Sequence, residues 1–140
     1  GEASAVAKVY AALARQIRNH GGPFKPPLAL ISGGECTVTV RGNGRGGRCS
    51  EFLLSLALEL DGMPDIFALA CDTDGIDGSE NNAGAIFAPD SLACAAAAGV
   101  SAKKLLANND AYSFFEALND LVVTGPTRTN VNDYRAILLL

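Results

Sequence analysis

The run Ile66-Phe-Ala-Leu-Ala-Cys71 is continuously apolar, the pattern of a strand at the centre of a sheet with both faces covered. It empties into Asp72-Thr-Asp74-Gly-Ile-Asp77-Gly-Ser-Glu80-Asn-Asn82. A buried strand ending in a knot of carboxylates puts polar chemistry at a strand's carboxyl end, where α/β folds gather their sites. The remaining periodicities agree. Val6, Val9, Leu13 and Ile17 recur at three and four residues, predicting a helix closed by Gly21-Gly22-Pro23. Leu28–Ile31 reads as a buried strand and Cys36-Thr-Val-Thr-Val40 as a half-exposed one. Gly33-Gly34 between them predicts an antiparallel hairpin.

Further along, Phe52, Leu53, Leu56, Ala57 and Leu60 predict a helix closing at Asp61-Gly62. Ala83–Phe87, Leu121–Val123 and Ala136–Leu140 read as strands. Asp90 or Ser91 caps an alanine-rich helix ending at Gly99, and Ser101 and Asp110 cap two more. Tyr112 and Phe114-Phe115 on the last of these read as core. The expected fold is therefore α/β: a three-layer α/β/α domain with a mixed β-sheet that includes an antiparallel hairpin. Residues 1–140 form one domain by size. A helix that begins at residue 1 without a linker predicts that the chain is part of a longer protein.

A net charge of -4 argues against a nucleic-acid partner, which calls for a basic face. No apolar run approaches the roughly 20 residues that span a bilayer, and the start has no basic or apolar leader. The four cysteines, Cys36, Cys49, Cys71 and Cys94, show no C-x-x-C spacing and read as buried small hydrophobes of a reducing compartment. The single histidine, His20, falls at a helix end. The expectation is a cytoplasmic protein.

Three of the eleven basic residues crowd into Arg41-Gly42-Asn-Gly44-Arg45-Gly46-Gly47-Arg48, between a predicted strand and a helix. Glycines let backbone N–H groups approach a ligand closely, and a helix start favours an anion. Arg48 can add a bidentate grip on phosphate oxygens. Gly42-x-Gly44-x-x-Gly47 also satisfies the dinucleotide fingerprint, with Asp72 in place of the ribose acid. Against that reading, the preceding strand alternates threonine and valine. A Walker loop would need lysine and then serine or threonine where Arg48-Cys49 stands.

The acidic loop offers carboxylates for Mg²⁺, for substrate hydroxyls or for a base, with Asp72, Asp74 and Asp77 the candidates. The segment from Thr124 to Asp133 offers Thr127 and then Asn130-Val-Asn132-Asp133, which either orient a ligand or close Asx-turns on their own backbone. Glu51, one turn into its helix, either orients Arg48 or complements the helix dipole. These three loops are expected to converge.

The chain resembles the MOFRL domain of type II glycerate kinases, a family also known as hydroxypyruvate reductases. The resemblance rests on Ser32-Gly-Gly-Glu35 with Thr37-Val-Thr-Val, Arg41-Gly-x-Gly-x-Gly-Gly-Arg48, Asp72-Thr-Asp-Gly-Ile-Asp-Gly78, Asn82-Ala-Gly84 and Thr124-Gly-Pro-Thr-x-Thr-Asn-Val-Asn-Asp133. It covers nearly the whole chain in order. It implies transfer of the ATP γ-phosphoryl group to glycerate, with 2-phosphoglycerate the expected product. It also implies a larger N-terminal Rossmann-like domain, with the active site between the two, so the isolated chain is expected to be inactive. A homodimer is left open.

Under that resemblance Arg48, Asp72 and Asp74 are the expected catalytic residues, with Asp72 and Asp74 also candidates for Mg²⁺. Arg41, Gly42, Gly44, Arg45, Gly46, Gly47, Glu51, Asp77, Asn82, Thr127, Asn130 and Asn132 are expected to bind substrate or phosphate. One departure stands beside Arg48: the family continues Asn-Gln-Glu where this chain has Cys49-Ser50-Glu51. The alternatives are an NAD(P)H-dependent hydroxypyruvate reductase, or a non-catalytic anion-binding module when the domain stands alone.

Overall fold

Alanine decides how the first helix packs. The computed structural model describes residues Gly1–Leu140, and its first helix, α1, runs Ala3–His20. Its fully buried face is Ala3, Ala7, Ala11, Ala14 and Ile17, while Val9 faces solvent. The expected valine-leucine stripe is thus rotated, with Val6 and Leu13 at its half-buried margin. Side chains as small as alanine let α1 lie close against α2 (Arg48–Leu60), its main packing partner. Gly21 closes α1 in the left-handed conformation and donates its N–H to the Ile17 carbonyl, the stop expected from the sequence.

α2 is buried nearly all round. It touches β2 (Ile66–Asp72) and β3 (Gly84–Phe87) on one side. On the others it meets α1, α3 (Ser91–Ala97), α4 (Ala102–Ala107) and α5 (Ala111–Leu118). With β1 (Leu28–Gly34), β4 (Leu121–Val122) and β5 (Asp133–Leu139), the strands form one sheet in the order β1-β5-β2-β3-β4. The α/β class is as expected.

Three details differ. Every strand pairing is antiparallel, so the sheet is not mixed; the one parallel contact is an isolated bridge from Glu2 to Thr37. The hairpin across Gly33-Gly34 does not form: β1 pairs with β5 instead, and Cys36–Val40 runs as loop. Gly33-Gly34 lie within the strand, opposite Tyr134 and Asp133, and do not turn it. The helices also stack through α2 on one face, giving two layers, not three.

β2 is therefore central but covered on one side only. Ile66, Ala68, Ala70 and Asp72 point into the core, whereas Phe67 is partly exposed. Ile31, Ile86, Tyr134 and Leu138 are exposed as well. β5 alternates in step, with Asp133, Arg135, Ile137 and Leu139 buried. Its register sets Asp133 opposite both Asp72 and Gly34. That register assembles the site.

Of the cysteines, Cys36 and Cys49 are buried as expected, but Cys94 is exposed. No helix is long and apolar enough to cross a membrane.

Candidate functional site

Two aspartates that the register places side by side at the sheet's end hold one arginine from the start of α2. Arg48 Nε donates to Asp133 Oδ1 at 2.6 Å, and its NH2 donates to Asp72 Oδ2 at 2.5 Å. Its NH1 end has only a loose pairing with the exposed Glu35, at 3.8 Å. The Arg48 side chain keeps 27% of its surface open, against 5% for Asp72 and none for Asp133. Asp133 also accepts from Arg135 and from the Cys36 amide. Arg135 in turn lies 5.1 Å from the centre of the Phe52 ring. The result is a half-buried chain of alternating charge with one free guanidinium edge.

Burial pushes the Asp72 carboxyl above its usual range, opposed by the Asp74 amide and by the Arg48 charge. Desolvation pulls the Arg48 guanidinium down, but the Asp133 hydrogen bond and the carboxylate charges more than offset it. Arg48 stays a cation throughout. In the sequence Asp133 is legible only as one of the loop side chains that can orient a ligand, not as the partner of Arg48, and Arg135 does not stand out at all. The available signal was two charged residues, spaced by two, on the inward face of an otherwise apolar strand.

The glycine loop behaves differently from expectation. Arg41 and Gly42 donate their amides to Asn109 Oδ1, and Asn43 donates to Asn108 Oδ1. Gly44 donates to the Asn108 carbonyl, Arg45 to Asp110 and Gly47 to Ser50 Oγ. A Cβ on Gly42 or Gly44 would sit 2.3 Å from atoms of Asn108 or Asp110, so these glycines exist for close packing of two loops. The amides of Gly46 and Arg48 alone, from 41 to 48, have no protein acceptor. Both residues line a groove of about 260 Å³ beside the arginine cluster. The expected cradle is thereby reduced to two amides and one guanidinium.

The helix start is not open to an anion over its whole first turn. Asp77, fully buried, accepts from the Cys49 amide at 2.9 Å and the Ser50 amide at 2.8 Å. This carboxylate caps α2 from outside the helix. Burial raises its pKa, and the bonds from Ser50 and Cys49 work against that rise. Ser50 closes the loop onto Gly47. Burial, with Asp77 and Asp133 nearby, drives the Cys49 thiol far up, so it is no thiolate nucleophile. The departure at Cys49-Ser50 thus fills structural places.

The three arginines also part company. Arg45 turns to α5, pairing with Glu116 at 3.0 Å and stacking 4.4 Å over the Tyr112 ring. The Arg41 side chain makes no ion pair and lines a separate groove. Glu51 does not reach Arg48; it accepts from Asn109 at 2.9 Å.

The third loop converges on the acidic one as expected. Thr127 donates its amide to the Asp74 carbonyl and its hydroxyl to that of Thr73. Asn130 reaches Asp74 at 3.3 Å, and the Asn132 carbonyl accepts from Thr73. Asn82 is wholly buried, bonds the Gly84 carbonyl and touches no groove.

For Mg²⁺, the residues present do not make a complete site, since no group of three or more candidate ligands comes together. Both oxygens of Asp72 are engaged, by Arg48 and by the Asp74 amide. Asp74, half-exposed like Glu80, also accepts on both oxygens, from the Ile76 amide at 2.9 Å and from Asn130 at 3.3 Å.

The model of the MOFRL family matches residues 28–133, from the start of β1 to Asp133. The chain belongs to the MOFRL family. Among relatives of this MOFRL domain is a protein of Agrobacterium vitis, provisionally named hydroxypyruvate reductase. It is 52% identical over 99% of this chain and 37% of its own length. The D-glycerate 2-kinase of Thermotoga maritima is 39% identical over 94% of this chain and 32% of its own length. The crystal structure of a Thermotoga maritima glycerate kinase superposes with a TM-score of 0.96 at 37% identity. That match covers 99% of this chain and 34% of the other. The MOFRL chain thus spans about a third of the length of the relatives it matches.

Proposed function

We propose that this MOFRL domain forms one wall of the active site of an ATP-dependent glycerate kinase, the other wall coming from an N-terminal Rossmann-like domain. The observation that supports this most is the free edge of Arg48, set beside the unpaired amides of Gly46 and Arg48 in one groove. Phosphoryl transfer asks a protein for positioning and charge neutralisation more than for covalent chemistry. A glycerate hydroxyl oxygen attacks the γ-phosphorus and gives up its proton to a base or to water, the bond to the β–γ bridging oxygen breaks, and ADP leaves. Attack by the 2-hydroxyl gives 2-phosphoglycerate.

Arg48 neutralises charge on the transferring phosphoryl group or grips the substrate carboxylate, and Asp72 and Asp133 hold it at that angle. Asp74, half-exposed, exchanges its long contact with Asn130 for a substrate hydroxyl. Mg²⁺ bound with ATP would supply charge neutralisation on its phosphates; the residues of this chain alone do not complete a site for it. The isolated chain is expected to be inactive.

The reductase reading loses its main support, because the amides of Gly42 and Gly44 are spent on Asn109 and Asn108 and that of Gly47 on Ser50. The test is an assay of the two-domain enzyme: ATP-dependent formation of phosphoglycerate from glycerate is expected. NADH oxidation with hydroxypyruvate, and no phosphoglycerate, would overturn the proposal.

A further inference from the structure

A second groove, of about 500 Å³, opens between α1, α2 and α4, and Arg48 takes no part in its lining. Glu51, Ser55 and Glu59 project into it from successive turns of α2, the spacing of one helix face. Ser55 is 3% exposed, and its hydroxyl has no hydrogen-bond partner in the protein. A buried hydroxyl without a partner costs roughly as much as a lost hydrogen bond. A ligand oxygen supplies the missing acceptor.

The charges around the groove indicate which ligand. Its carboxylates are already engaged: Glu2 accepts from the Thr39 amide at 2.7 Å, and Glu51 accepts from Asn109. Glu59 faces Arg15 at 3.9 Å. The cations Lys8, Arg41 and Lys103 line the same groove, and none makes an ion pair. Glu2, Glu51 and Glu59 balance these three cations in charge, so what the groove offers an anion is hydrogen-bond donors without a partner: the Ser55 hydroxyl and the cation head groups.

We propose that this groove is a second anion site, which takes a small phosphate-bearing ligand with Ser55 at its floor and Lys8, Arg41 and Lys103 around it. The site adjoins the loop that carries Arg48. Asn109, which lines the groove, accepts the amides of Arg41 and Gly42 and donates to Glu51. An occupant therefore bears on the brace of the glycine loop. The proposal goes beyond the kinase reading and does not rest on it.

The test is an amide NMR titration of the protein with inorganic phosphate and, separately, with 2-phosphoglycerate, against sodium chloride at matched ionic strength. Saturable shifts at Ser55, Lys8, Lys103 and Asn109 are expected with a phosphate ligand and not with chloride. Saturation by inorganic phosphate identifies the free ion as sufficient. Saturation by 2-phosphoglycerate alone identifies a phosphorylated acid. Ser55→Ala and the paired change Lys8→Gln with Lys103→Gln should each weaken binding about tenfold. The lysines are exposed, so the paired variant folds even where Ser55→Ala does not. Shifts confined to Gly46, Arg48 and Asp72, shifts matched by chloride, or no shifts at all would overturn the proposal. So would unchanged affinity in the lysine variant.

Discussion

The glycine loop and the strand-end cluster look alike on paper, since each carries arginines among small and acidic residues, yet the molecule uses them in opposite ways. In the loop, six amides from Arg41 to Gly47 are donated to neighbouring protein groups, and Arg45 is tied to α5. In the cluster, Arg48 is held on two sides by Asp72 and Asp133 and open on the third. Availability, not residue type, separates a packing device from a site. A glycine's N–H serves a ligand only where no protein oxygen has taken it.

The largest effect should come from the hub of the cluster. Asp133→Asn leaves the buried Arg135 without its counter-charge, and urea denaturation should show a loss of about 3–5 kcal/mol. A loss under about 1 kcal/mol would mean that the cluster does not hold itself together as described. Next is the loop: Gly44→Ala places a Cβ 2.3 Å from the Asp110 Cβ, and overpacking should cost about 1–3 kcal/mol. A neutral result would return Gly44 to the list of flexible, ligand-facing positions.

A smaller effect follows from Glu51. Burial raises its pKa in the folded state, against the Asn109 hydrogen bond. A carboxyl raised on folding favours the native state while protonated. That contribution is lost as pH climbs from the ordinary carboxylate range through the raised value. Glu51→Gln should therefore flatten the decline in melting temperature across this window, and an unchanged slope would contradict it. The smallest effect is expected at Arg45. Its pair with Glu116 stands in solvent, so Arg45→Ala should leave the melting temperature within error.

Much of the fold was legible because periodicity reports burial directly. α2, the short strand at β3 and the stop at Gly21 all follow from it. The partners of β1 were not legible. Gly33-Gly34 carries the local mark of a turn, but the alternation of β5 offered a longer pairing across the sheet. The one-sided sheet was hidden for a related reason: Phe67 and Leu69 are as apolar as their inward neighbours. At the site, Arg48 and Asp72 were readable as types in loops. The pairing of Asp133 with Arg48, and any part for Arg135, emerged only through strand register, a long-range property that local pattern does not encode. The fate of the glycine amides depended on Asn108 to Asp110, more than sixty residues away.

Under the proposed function Arg48, and not the rest of the arginine-glycine loop, acts on the reacting phosphoryl group or the carboxylate beside it. The measurement that tests it most directly is kcat for ATP-dependent phosphoglycerate formation by the two-domain enzyme, compared between Arg48→Ala and Arg45→Ala. A fall of about 10²-fold or more is expected for Arg48→Ala, and a rate near wild type for Arg45→Ala. A near-normal rate for Arg48→Ala in a folded enzyme, or a larger loss at Arg45, would contradict it.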